Sequence, residues 1–340
     1  MFKNTLKIIF ILLFAAQLMG KKTIIKMATL APEGTKWHGM LIEMGQKWEK
    51  VTGGQVKLRI YPGGVVGDER DMIRKIRIGQ IHAAAVTTEG LSELNNDIYA
   101  LNIPMLFTDW EEVDWIRDRI EDDLIDGFEK SGFKLLTWTD VGWIHWFTTE
   151  PMKMPKDLKK MKIFNWAGEF HTYQLWKKGG FNAVQLASID ILSGLQTGLI
   201  NAIGTNPMVA LASQWFGIAN NMLDMRWGLL TGGIVIDKRT WDKIDPEHQQ
   251  KMLEIVAEID QEQKLTGRYL DSESIDVMKK YGLKEYKLTA EEIKYWQNYV
   301  KKWYPDIRGS YVPAKIFDKV VALKNEKSQL EEKKGNDRKK

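Results

Sequence analysis

No cysteine occurs in the 340 residues. That excludes a disulfide framework, a thiol nucleophile, an iron–sulfur cluster, a cysteine-based zinc site and lipid anchoring through a cysteine. Histidine is scarce: the five, His38, His82, His145, His171 and His248, show no HExxH or HxH spacing, so a histidine-rich metal centre lacks its ligands. An excess of one charge sign is missing too. The 49 basic side chains nearly balance 45 acidic ones, leaving +4, too even for a nucleic-acid binder. Much of that excess sits at the ends, in Lys3, Lys7, Lys21 and Lys22 and in the run from Lys324 to Lys340. With 9 Pro and 28 Gly beside 44% apolar residues, the chain is neither disordered nor collagen-like, and its length suits about two domains.

Catalytic signatures are also missing. There is no GxSxG, no GxxxxGK[ST], no helix-opening GxGxxG and no recognisable pair of catalytic carboxylates. Gly63-Gly64-Val65-Val66-Gly67 is glycine-rich but reads as an ordinary strand-to-helix turn. No cofactor and no metal is implied, and an exported enzyme of unknown type is only the runner-up reading.

What is present begins with Lys3 and Lys7, the apolar run Ile8 to Ala16, and Gly20 before Lys21-Lys22. The run is shorter than the about 20 residues a spanning helix needs, so residues 1–20 read as an export signal. Leu18 and Gly20 would have to serve as the small residues of the cleavage site, an imperfect match, and an uncleaved membrane anchor is the alternative.

Strand-like and helix-like segments then alternate, which points to parallel βαβ units. Strands are expected at 23–30, 56–61, 83–86, 134–138, 144–148 and 161–164, with further candidates at 198–204 and 232–236. Trp37, Met40, Leu41, Met44 and Trp48 recur at helical spacing, and a second helix is expected from about Asp68 to Ile78, ending at Gly79. From Pro246 to about Tyr281 the pattern is helical and amphipathic, opened by Asp245 as N-cap. At 1.5 Å per residue such a helix is roughly 54 Å long, suited to bridging two domains, and Gly267 is a candidate kink. Residues 325–340 are expected to be a frayed, solvated, charged tail.

Four blocks carry a family resemblance: Gly63-Gly64-Val65-Val66-Gly67-Asp68-Glu69 with Gly79-Gln80-Ile81; Ile103-Pro104-Met105-Leu106-Phe107; Met154-Pro155-Lys156-Asp157-Leu158 through Ile163; and Leu195-Gln196-Thr197-Gly198-Leu199-Ile200-Asn201 leading to Asn206-Pro207. In order and spacing they resemble the DctP-type family, the extracytoplasmic solute-binding subunits of TRAP (tripartite ATP-independent periplasmic) transporters. The resemblance implies an α/β, two-lobed periplasmic-binding-protein-like fold with a ligand cleft between the lobes and a long bridging helix. One lobe would take 23–142 with 230–270, the other 143–229 with 285–324, and the helix at 246–281 would span both. It further implies a periplasmic protein that closes on a small-molecule ligand and delivers it to the TRAP membrane permease subunits. A helical-repeat periplasmic partner protein is found in a minority of such systems. A binding protein serving a sensor is the competing role.

The departures from the family pattern bear on the ligand. The family arginine of the Lys-Ile-Arg block, which pairs with a ligand carboxylate, is replaced here by Phe164. The Gly-Phe-Arg segment matches Gly142-Trp143-Ile144, and Glu-Asn-Pro becomes Thr205-Asn206-Pro207. Trp143, Ile144, Trp146, Phe164, Trp166, Trp215 and Trp227 fall where ligand contacts would lie, although core packing competes for each aromatic. Thr29, Trp37, Glu69, Asn206 and Arg226 are the candidates for orienting the ligand. Glu69 has two open readings, a charge at a helix N-terminus or a ligand contact; Arg226 likewise reads as a cleft cation or a solvated surface residue. His145 reads as structural. The expected ligand is therefore apolar or aromatic, with a monocarboxylate open if Arg226 meets it.

Overall fold

The computed structural model describes residues 22–337, with side chains at all but 265–267 and 334–337. The expected export signal at 1–20 and the end of the expected tail, 338–340, lie outside the described residues. The strands are β1 (Thr23–Thr29), β2 (Val56–Tyr61), β3 (Ala83–Thr87), β4 (Phe133–Thr148), β5 (Lys162–Trp166), β6 (Asn182–Leu186), β7 (Ala202–Thr205), β8 (Asn221–Asp237) and β9 (Lys284–Lys287). They form one sheet in the order β2-β1-β3-β8-β4-β7-β5-β6, with β9 also paired to β8.

Each end of the sheet is a parallel βαβ arrangement. β1 pairs in parallel with β2 and β3, and β5 does the same with β6 and β7. The helices Lys36–Val51 and Glu69–Arg77 make the crossovers of the first lobe. Thr35 caps the former by accepting from His38 N, and Asp68 caps the latter by accepting from Glu69 N. Joining the lobes are β4 and β8, antiparallel along their lengths of 16 and 17 residues. At about 3.3 Å per residue, each is long enough to serve both.

Two expected strands, 134–138 and 144–148, are thus one. Asp140 and Gly142 interrupt the β-branched and aromatic pattern because Asp and Gly are disfavoured in strands, but the structure absorbs them in a register shift of the β4–β8 ladder. Gly142 has φ +147°, and a Cβ there would lie 2.5 Å from Asp271 Oδ2 and 2.7 Å from Asn206 Nδ2. Likewise β8 extends far beyond the expected 232–236. Gly233 disguises it in sequence, yet a Cβ at Gly233 would meet Thr137 O at 2.7 Å, so glycine is what lets the two strands approach. The candidate at 198–204 becomes a strand only from Ala202, because Gly198, at φ +67°, turns the chain.

The long helix Pro246–Lys280 has 35 residues and is continuous through position 267. Its first half buries Met252, Ile255, Val256 and Ile259 against Leu41, Met44 and Trp48 of the first lobe, and Met278 near its end packs with Phe147, Ile191 and Met222 of the second. Trp48 Nε1 donates to Met252 O at 3.1 Å.

The C-terminal region departs from the expected lobe boundary. Trp296 and Val300 pack into the second lobe, but Ile307, Tyr311, Val312, Ile316, Phe317 and Val320 return to the core of the first. The expected tail from 325 continues the helix Ala314–Asp337. Lys324, just before it, pairs with Glu112, and the buried Lys327 pairs with Glu111 and Glu331, while the other side chains at 325–333 are exposed. Composition marks such a segment as solvated, but it cannot show that a neighbouring helix carries the matching acids.

Candidate functional site

A cavity of about 570 Å³ lies between the lobes and extends beneath the long helix. The loop after β1 and the helix Lys36–Val51 form one wall, β4 and β8 the floor, β5 and the segment around Ile189 the second-lobe wall, and Val256, Ile259, Asp260 and Gln263 of the long helix close it. The irregularity at Asp140/Gly142 has a direct effect here. Side chains alternate along a strand, and β4 presents Thr137, Thr139 and Val141 before the shift and Ile144 and Trp146 after it. The extra residue changes the parity, so both halves of β4 face the cavity.

Of the residues singled out from sequence, Thr29, Trp37, Glu69, Ile144, Trp146, Phe164, Trp166, Trp215 and Trp227 line the cavity. Trp143, Asn206 and Arg226 do not. Trp143 lies on the opposite face of β4 with its ring centroid 4.9 Å from that of Trp110. Arg226 is exposed, sits over the Trp143 ring at 5.0 Å and bonds Thr108 O. The alternation of β8 turns it to solvent, and it is no cleft cation. Asn206 is fully buried; its Nδ2 donates to Val141 O at 2.7 Å and Asp271 Oδ1 at 3.2 Å, while its Oδ1 accepts from Val209 N. It ties the strand crossing to the long helix.

Glu69 stands in the first turn of its own helix and lines the cavity, yet its hydrogen bonds go elsewhere. Its carboxylate accepts from Thr87 N at 2.8 Å, Thr87 Oγ1 at 2.7 Å and Gly90 N at 2.9 Å, so it fastens the start of the helix Thr88–Ser92 rather than its own. Burial pushes its pKa up to about 7 against those hydrogen bonds. His145 is buried, 3.6 Å from Asp224, and burial lowers its pKa to about 4, which keeps it neutral.

Polar contacts cross the cleft at its rim. Asp68 accepts from Ser188 N at 2.7 Å and Ser188 Oγ at 2.9 Å. Glu169 of the second lobe caps its own helix by accepting from His171 N and Thr172 N with Oε1. Its Oε2 accepts from Tyr99 OH at 2.8 Å and Arg70 Nη2 at 3.4 Å. Arg70 also pairs with Glu89 and Glu93. Burial, then the nearby Glu169, raises the Glu89 pKa to about 8.

Sequence reading missed Thr137, Thr139, Glu89, Asp260 and Tyr311, which also line the cavity. Nothing local marks them, since the packing of the long helix and of the C-terminal return brings them there. Among the described lining residues the ionisable side chains are the carboxyl groups of Glu69, Glu89 and Asp260 and the phenol of Tyr311, with no Lys, Arg or His.

Known proteins of the same build sharpen the picture. The chain is 26% identical over 234 residues to the 2,3-diketo-L-gulonate-binding periplasmic protein YiaO of Escherichia coli (strain K12), covering 68% of this chain and 71% of that one. A TRAP periplasmic solute-binding protein from Citrobacter koseri, solved with bound D-glucuronate, superposes with TM-score 0.76 at 27% identity, covering 88% of this chain and 98% of that one. One from Ralstonia eutropha H16, solved with bound (S)-2-acetolactate, gives TM-score 0.82 at 18% identity, with 90% and 99% covered. Residues 27–309 match the model of the DctP family, described as bacterial extracellular solute-binding protein, family 7. The chain therefore belongs to the DctP family of TRAP solute-binding proteins, whose role and fold are those of transport proteins and not of enzymes.

Proposed function

We propose that this TRAP solute-binding protein captures a ligand distinctly more apolar or aromatic than the acids bound by its relatives. One observation carries the reading: among the described residues no cation lines the cavity, and the positions matching the family arginines present Phe164 and Ile144 to it. Burying a carboxylate without a cation costs on the order of several kcal/mol. Walls of Trp37, Phe164, Trp166 and Trp215 instead favour apolar surface, at about 25 cal/mol per Å² buried. The ligand is handed unchanged to the membrane permease. A ligand that avoids water gives a shielding periplasmic partner, of the helical-repeat kind, a purpose.

Calorimetry of the full chain with decan-1-ol as apolar probe, against D-glucuronate and succinate, tests this. Binding of decan-1-ol with a negative heat-capacity change and no binding of the two acids is the expected result. Tight binding of either acid with decan-1-ol ignored would overturn it.

A further inference from the structure

Resting on that reading, the polar atoms of the cavity say what kind of head group an apolar ligand carries. Thr139 is 5% exposed, lines the cavity, and its Oγ1 has no hydrogen-bond partner among the described residues. Asp260, on the long helix, also lines the cavity, and its Oδ1 is buried without a partner. A buried carboxylate oxygen and hydroxyl left unbonded are expensive, so an occupant is expected to satisfy them.

The surroundings fix the sign of the charge. Behind this wall lies an ionic cluster: the buried Asp140, next to Thr139 in β4, pairs with the buried Arg117 and with Arg268, and Arg268 also pairs with the partly exposed Asp114. Asp260 stands close enough to Arg117 to influence its ionisation. Neither arginine lines the cavity. Counting Asp114, Glu121, Asp140 and Asp260 against Arg117, Lys264 and Arg268, the cluster holds four carboxylates and three cations, one negative charge in excess, and the carboxylate facing the cavity is Asp260. At the second-lobe side the unpartnered donor is Trp146 Nε1, on a residue 2% exposed. One indole N–H provides a hydrogen bond without a charge, which suits an ether or carbonyl oxygen and not a carboxylate.

We propose that the ligand is an amphiphile whose polar end is a hydrogen-bond donor, a hydroxyl or amine, received by Asp260 and Thr139 beneath the long helix, and that carboxylate-headed ligands are rejected. The apolar body lies among the aromatic side chains. Rejection follows because the carboxyl groups of Glu69, Glu89 and Asp260 line the cavity, and the cations behind them, Arg70 at Glu89 and Arg117 near Asp260, are already engaged by carboxylates of the protein.

Three probes with the same ten-carbon chain test this on the full chain by calorimetry: decan-1-ol, decylamine and decanoate. The expected result is that decan-1-ol or decylamine binds at least tenfold tighter than decanoate. Asp260→Asn should narrow the preference for decylamine over decanoate at least fivefold. If that variant is poorly folded, Thr139→Val, which removes the hydroxyl and keeps the shape, should weaken decan-1-ol several-fold. Decanoate binding as tightly as the other two would overturn the head-group proposal while leaving the apolar-ligand reading intact. Failure of all three beside tight binding of D-glucuronate would overturn both.

Discussion

Tyr99 of the first lobe donates its hydroxyl to Glu169 of the second across 2.8 Å, and the same carboxylate caps the helix Phe170–Lys178. One side chain thus holds its own lobe's helix and a link across the cleft. Burial keeps the Tyr99 phenol far above its ordinary pKa, so it remains a donor at any working pH. Replacing Glu169 by Ala removes an N-cap, at about 1 kcal/mol, and the link across the cleft. Expected in small-angle scattering with decan-1-ol is a loss of most of the compaction seen for the parent protein, since a ligand closes the lobes only as far as it favours the closed form. Compaction equal to that of the parent would show that the link does not hold the closed form.

Stability should fall as the solution becomes more alkaline. Glu69, Glu89 and Asp271 all have pKa values raised from their ordinary carboxylate values, to about 7, about 8 and about 7, with burial the first cause in each case. A raised carboxyl binds its proton more tightly folded than unfolded, so its contribution is complete below the unfolded pKa and is lost as pH rises through the folded one. Thermal melts should therefore show Tm decreasing from about pH 5 to about pH 8.5. Glu69→Gln, which cannot ionise, should flatten part of that slope. A Tm that rises over this window would contradict the assignment.

Gly142 leaves no room for a side chain where β4 runs between the lobes. With φ +147° and no space for a Cβ beside Asp271 and Asn206, Gly142→Ala should cost about 2 kcal/mol or more. Urea unfolding would report it as a lower midpoint at unchanged slope.

Cations inside and outside the cavity should behave differently. Phe164→Arg puts a charge into an apolar wall and is expected to weaken decan-1-ol at least tenfold. Arg226→Ala, on the outer face, should leave affinity within about twofold, as surface substitutions usually do. Equal effects from the two would mean that the cavity is not where the probe binds.

Much of this was legible in the sequence. Periodicity from Trp37 to Trp48 and the amphipathic pattern from Pro246 onward locate the packing faces of two helices, and Phe164, singled out in the sequence, lines the cavity. The errors share a cause. Trp143, Asn206 and Arg226 were placed by their neighbours in the chain, whereas strand alternation and the crossing of β4 and β8 decide which way they face. Asp260 and Thr139 carry no local signal, because only tertiary packing brings a mid-helix aspartate and a strand threonine to the lining of one cavity. The charged end of the chain reads as tail from composition, yet it is helical to Asp337, with Lys327 held against Glu111.

The most direct test is native mass spectrometry of the full chain isolated from its own cell envelope, followed by organic-solvent extraction of what it carries. The expected result is a stoichiometric small molecule that partitions into the organic phase and bears no carboxylate. A hexuronate or dicarboxylate held at full occupancy and left in the aqueous phase would contradict it.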